Sequence, residues 1–99
     1  MDDVVTLIEF TAAWCGPCRE LAPVVSSIVD DDPARTRVLV VDVDDDHALA
    51  TRFGVRSMPT VVLWRGGREV GRVVGTRPRR FLAGMVARAH AGELAITGP

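Results

Sequence analysis

Residues 4–25 read VVTLIEFTAAWCGPCRELAPVV, and they decide the fold. Val4 to Phe10 is an apolar, β-branched run, the pattern of a strand buried on both faces. It ends at Thr11-Ala12-Ala13. A helix then starts near Cys15-Gly16-Pro17, because proline is favoured in a first turn where its missing N–H costs nothing. Leu21, Val24, Val25, Ile28 and Val29 recur at helical spacing through about Asp30. Pro23 removes one backbone bond inside that helix and predicts a kink. Cys15 and Cys18 therefore stand where a buried strand hands over to an amphipathic helix.

Outward from this unit, Asp31-Asp32-Pro33 is a breaker, and Thr36 to Val43 reads as the strongest strand in the chain. His47 to Phe53 reads as a short helix closed by Gly54. Thr60 to Trp64 and Glu69 to Val74 are strands joined by a Gly66-Gly67 hairpin signal. A last helix begins near Pro78, with Phe81, Leu82, Met85, Val86 and Ala89 on one face; Gly92 closes it and Glu93–Pro99 is a loose tail. The order β-α-β-α-β-β-α implies an α/β fold: a mixed sheet with helices on both faces. The 99 residues form one domain, with a core over 4–91 and a tail over 93–99.

A thiolate, not a thiol, attacks a disulfide, and an ordinary cysteine is mostly protonated at neutral pH. A first-turn position aims unpaired N–H groups and the positive helix end at the Cys15 sulfur, favouring the anion. Cys18, nearly one turn on, can reach a mixed disulfide at Cys15 and displace the product. A purely structural bridge is a poor alternative, because closing so short a loop removes little unfolded-state entropy. Half a zinc site is another, but the only further candidate ligands of that type are His47 and His90, which read as surface residues. The residues thus point to redox chemistry without a metal.

Composition bounds the rest. The chain is 47% hydrophobic and 25% charged with a net charge of −1, a globular profile with no stretch apolar enough to span a membrane. Residues 1–50 hold eleven acids against three arginines, and residues 51–99 hold nine arginines against two acids. The arginines carry no stacking pattern of aromatics, so no nucleic-acid partner is expected. Met1-Asp2-Asp3 lacks the basic start of a secretory signal, which leads to the expectation of a cytoplasmic protein.

Together, Leu7–Phe10, Trp14-Cys15-Gly16-Pro17-Cys18, Pro23, Asp42-Val43-Asp44, Phe53-Gly54-Val55, Met58-Pro59-Thr60, Gly67 and Gly75 make the chain resemble the thioredoxin family over about residues 4–91. The resemblance implies a protein-disulfide reductase in which Cys15 is the exposed nucleophile and Cys18 the buried resolving thiol. Trp14, Gly16 and Pro17 belong to the active-site loop. Pro59 matches a cis-proline lying against the cysteines, with Met58 free to pair with a substrate strand. Trp14, Met58, Pro59, Thr60 and Gly75 then form the docking rim. Glu9 stands where the family has a buried aspartate, which implies proton transfer to and from Cys18; the alternative is a strand-end carboxylate that reaches water. The partners implied are disulfide-containing proteins and a thioredoxin-reductase-type flavoenzyme. NADPH and flavin act only through that reductase, and the chain needs no cofactor of its own.

Departures from the family pattern are Val40 for a common lysine beside the buried acid, Thr11 for a tryptophan and Ser57 for a glycine. The family also has a strand and a helix ahead of the segment matching Val4–Phe10. Without them the sheet has four strands in the order β2-β1-β3-β4, with Thr36–Val43 on an edge. Such an edge is sticky, which leads to the expectation of a monomer or weak homodimer, or of cover by Met1–Asp3 or Glu93–Pro99. Two other functions also fit these residues: a redox partner dedicated to a single target, as its reductant or as an oxidant, and, from a different class, a protein-interaction module in which the cysteine pair is incidental.

Overall fold

The computed structural model describes residues 3–94. Its elements are β1 (Val5–Thr11), α1 (Gly16–Asp31), β2 (Thr36–Asp42), α2 (His47–Arg52), β3 (Thr60–Arg65), β4 (Arg68–Val74) and α3 (Arg79–His90). They form a four-stranded sheet in the order β2-β1-β3-β4. β1 runs parallel to β2, from Val5 opposite Thr36 to Thr11 opposite Asp42, and antiparallel to β3. The β3–β4 hairpin turns on Gly66 and Gly67, at φ 63° and 81°. Positive φ at both central residues is what a two-residue turn needs to match strand twist, and only glycine takes it without strain.

The pleat sorts β1 into two faces. Val5 and Leu7 pack with Leu21, Val25 and Ile28 of α1 and Leu82, Val86 and Ala89 of α3. Ile8 and Phe10 point the other way, where Val41, Ala50 and both cysteines join them. Central β1 is therefore apolar on both faces, as its run of β-branched residues predicts. α2 is only 6 residues long and leaves part of its face bare. An open groove of about 630 Å³ remains there, floored by Ile8, Leu39, Leu49, Phe53 and Trp64.

Three expectations change. Phe81 is not on the buried face of α3: it is exposed, beneath the Arg77 guanidinium at 5.0 Å. The buried stripe is Leu82, Val86 and Ala89, and Phe81 sits one position off it. His90 is half-buried rather than on the surface, because the end of α3 lies against the start of β2, where its Nε2 and the buried Thr36 hydroxyl are hydrogen-bonded at 3.0 Å. Residues 93 and 94 are not loose: the Glu93 N–H bonds the Arg88 carbonyl at 2.9 Å, and Leu94 packs on the core. The remainder of the expected tail lies outside the described residues.

Candidate active site

Cys15 closes the connection between β1 and α1. It caps the helix from an extended conformation (φ −96°, ψ 104°), and its Sγ accepts the Cys18 N–H at 3.2 Å. Gly16 and Pro17 fill the first turn, which contains no acidic residue to oppose an anion at the sulfur. The loop is closed from outside as Arg19 donates to the Ala13 carbonyl at 2.6 Å. Cys15 and Cys18 are joined as a disulfide, with Cα atoms 5.3 Å apart. The N–H groups and dipole of α1 therefore converge on Cys15, the arrangement that stabilises a thiolate when the bond opens.

The expectation of an exposed Cys15 needs correcting for this disulfide form. Cys15 is 5% exposed and Cys18 1%. Bonding ties the sulfurs together among Phe10 and Ala12, with Met58 at the margin of the same cluster. What solvent meets is the flank, where Pro17 and Trp14 are exposed.

Trp14 is held by a residue to which the sequence reading gave no role in the site. Its indole N–H donates to the Asp44 carboxylate at 3.0 Å. Asp44 in turn donates its N–H to the Asp42 carboxylate at 2.9 Å. The signal available was topological: parallel β1 and β2 end on the same side of the sheet, so the acids leaving β2 must meet the loop leaving β1.

Across the site, the Met58–Pro59 bond is cis. Pro59 is fully buried and Met58 half-buried, just ahead of β3. The Gly75 N–H donates to the Pro59 carbonyl at 2.8 Å, and the Thr60 hydroxyl to the Ser57 carbonyl at 2.8 Å. Gly75 lies at φ 83°, in the region that favours glycine, so this tie would strain any other residue. Among the described residues, the backbone of Met58 has no such partner.

Glu9 lies mid-strand in β1, opposite Val40 on one side and Val61 on the other. The pleat turns it to the α1 face, with Leu7. It is 3% exposed, and burial raises its carboxyl pKa above the ordinary value. Among the described residues no hydrogen bond or ion pair reaches it; Val40, where a cation would sit in the family pattern, cannot supply one. Also among the described residues, no three His, Cys, Asp or Glu side chains are grouped to hold a metal ion.

Comparison with known proteins agrees with this geometry. The family model for thioredoxin matches residues 1–88. Thioredoxin 1 of Nostoc is 41% identical over 82% of the chain and 76% of its own length. Thioredoxin of Staphylococcus saprophyticus is 37% identical over 85% of the chain and 81% of its own. Among solved structures, the germline-specific thioredoxin Deadhead of Drosophila superposes with a TM-score of 0.81 at 37% identity, covering 88% of this chain and 82% of that one.

Proposed function

The chain belongs to the thioredoxin family and is a thiol–disulfide oxidoreductase, and from that premise we propose how its own residues divide the work. The Cys15 thiolate attacks one sulfur of a substrate disulfide, forming a mixed disulfide and expelling the other substrate sulfur as a thiolate that takes up a proton. Cys18 then gives its proton to the Glu9 carboxylate. Its thiolate attacks the Cys15 sulfur, closes the Cys15–Cys18 bond and releases the second substrate sulfur. Two electrons and two protons pass to the substrate. The observation that carries this division is the cap: Cys15 ends the positive pole of α1, whereas Cys18 is inside its first turn and more deeply buried.

Substrate binding is assigned to the rim of Trp14, Met58, Pro59, Thr60 and Gly75. The unpartnered backbone of Met58 supports it, because an extended segment can add there as a strand. Members of this family work with thioredoxin reductase and disulfide substrates, and this chain is assigned a reductase of that flavoenzyme type, drawing on NADPH. A cytoplasmic site of action goes with the reducing direction, since thiols are kept reduced there; cell fractionation measures it.

Disulfide turnover on an insulin-type substrate with a dithiol donor tests the proposal. Cys15→Ser abolishes turnover, Cys18→Ser accumulates mixed disulfides, and the reduced protein is alkylated first at Cys15. Equal labelling of the two thiols would remove the division of roles. No turnover at all would leave the interaction-module reading.

A further inference from the structure

β2 is the outer strand of the sheet, and among the described residues it pairs only with β1. Its middle is apolar and open: Val38, Leu39 and Val40 are 37%, 50% and 57% exposed. An edge of this kind presents free N–H and C=O groups to any strand that fits it. The charges at its two ends differ in sign. Arg35 and Arg37 stand at the start, and Asp42, Asp44, Asp45 and Asp46 at and beyond the end. Asp32 already pairs with Arg35 at 3.0 Å, whereas Arg37 has no ion-pair partner among the described residues. The last described residue, Leu94, lies against Gly71 of β4 on the opposite edge of the sheet, and α3 meets β2 only at its start, where His90 bonds Thr36.

We infer that the occupant of this edge is a second copy of the chain, its β2 antiparallel to this one. Parallel pairing would set arginine beside arginine and acid beside acid; antiparallel pairing sets each arginine end beside the other's acidic end. Symmetry narrows the register. The twofold axis relating two identical antiparallel strands runs perpendicular to the sheet, and directly opposed residues share a face. A residue can therefore oppose only itself or one an even number of positions away. The register using all 7 residues of β2 centres on Leu39, opposing it to its own copy, with Val38 against Val40 and Thr36 against Asp42. Both Leu39 side chains then meet on the α2 face at the wall of the bare groove, so two grooves become one continuous apolar surface. The redox pair follows the end of β1, which is parallel to β2, so the axis carries the two pairs to opposite ends of an eight-stranded sheet built from two four-stranded ones. Neither active site is covered. One strand edge buries less than a stable interface needs, so the dimer is weak.

Sedimentation from micromolar to millimolar protein, at low and high salt, tests this on the full chain. A reversible dimer weakened by salt is expected, because exposed charges beyond about 8 Å are screened at physiological ionic strength. The oppositely charged ends meet twice in the dimer, so Arg37→Glu and Asp45→Arg, each placing a like charge at a facing end, should each raise the dissociation constant about two- to thirtyfold. Disulfide turnover per chain stays unchanged in Arg37→Glu. Hydrogen exchange at the Val38–Val41 amides slows as concentration rises. A protein that stays monomeric overturns the inference: slow exchange would then mean that the chain covers its own edge, and fast exchange that water does. A dimer indifferent to both charge reversals overturns it equally.

Discussion

Glu9 has a valine opposite it on each neighbouring strand, and its burial favours the protonated form. A carboxyl whose pKa is raised on folding binds its proton more tightly in the native state. Its contribution to stability is thus full below the ordinary glutamate value and is lost as pH rises through the raised one. Glu9→Gln, always neutral, should therefore be more stable than the parent at neutral pH and no more stable in acid. Urea titrations at several pH values measure the difference. In the reaction, the same substitution should slow release from the mixed disulfide by about ten- to a hundredfold and leave the first attack nearly unchanged. Single-turnover kinetics across pH separates the two steps, and an unaltered profile would end the proton-transfer role. Much of this site was legible residue by residue. Cys15 and Cys18 are local in sequence, and their chemistry needs only a helix start. The burial of Glu9 follows from its place inside an apolar strand. Asp44 was not legible, because its bond to Trp14 spans 30 positions and exists only once β1 and β2 end side by side.

The end of α3 shows what an element gains from such distant ties. Arg65, at the end of β3, donates to the Ala89 carbonyl at 2.7 Å and the His90 carbonyl at 3.2 Å, satisfying acceptors that the last turn leaves open. The Thr36–His90 bond fixes the same turn to β2. Desolvation, and then Arg35, lower the His90 pKa below its ordinary value, despite the opposing pull of Asp32. The sign is the reverse of Glu9. The neutral imidazole belongs to the folded state, so its contribution is complete above the ordinary histidine value of about 6.5 and is lost as pH falls below it. Melting temperature should accordingly fall on acidification from pH ~7 to ~5, and fall less in His90→Gln. Thermal scans of both proteins check this. Element order and strand periodicity were readable from alternation and turn residues alone. The depth of His90 and the exposure of Phe81 were not, because helical spacing names a stripe but not how far the neighbouring strands reach along it.

For the molecule as a whole, the disulfide is a tool rather than a brace. It closes a loop of sequence separation 3, and the chain-entropy estimate for such a loop is only about 2 kcal/mol. The two apolar clusters on either face of the sheet carry the fold, and only one of them contains the cysteines. Reduced protein should keep its secondary structure and unfold at a modestly lower guanidinium concentration; collapse on reduction would show that the bridge does hold the domain together. The sheet order was legible because the resemblance supplied it, whereas the bare groove beside α2 follows from how short that helix is. The Trp14–Asp44 contact has a last consequence, an optical one. The chain has two tryptophans and no tyrosine. Trp64 is edge-on to Phe53 at 5.8 Å, far down β3, while Trp14 adjoins the sulfur pair and is 67% exposed. Excitation of the indoles therefore lights two emitters, of which only one neighbours the bond that opens and closes. With its ring held by a carboxylate, that emitter should change its intensity when the bond opens, and emission spectra taken before and after reduction measure whether it does.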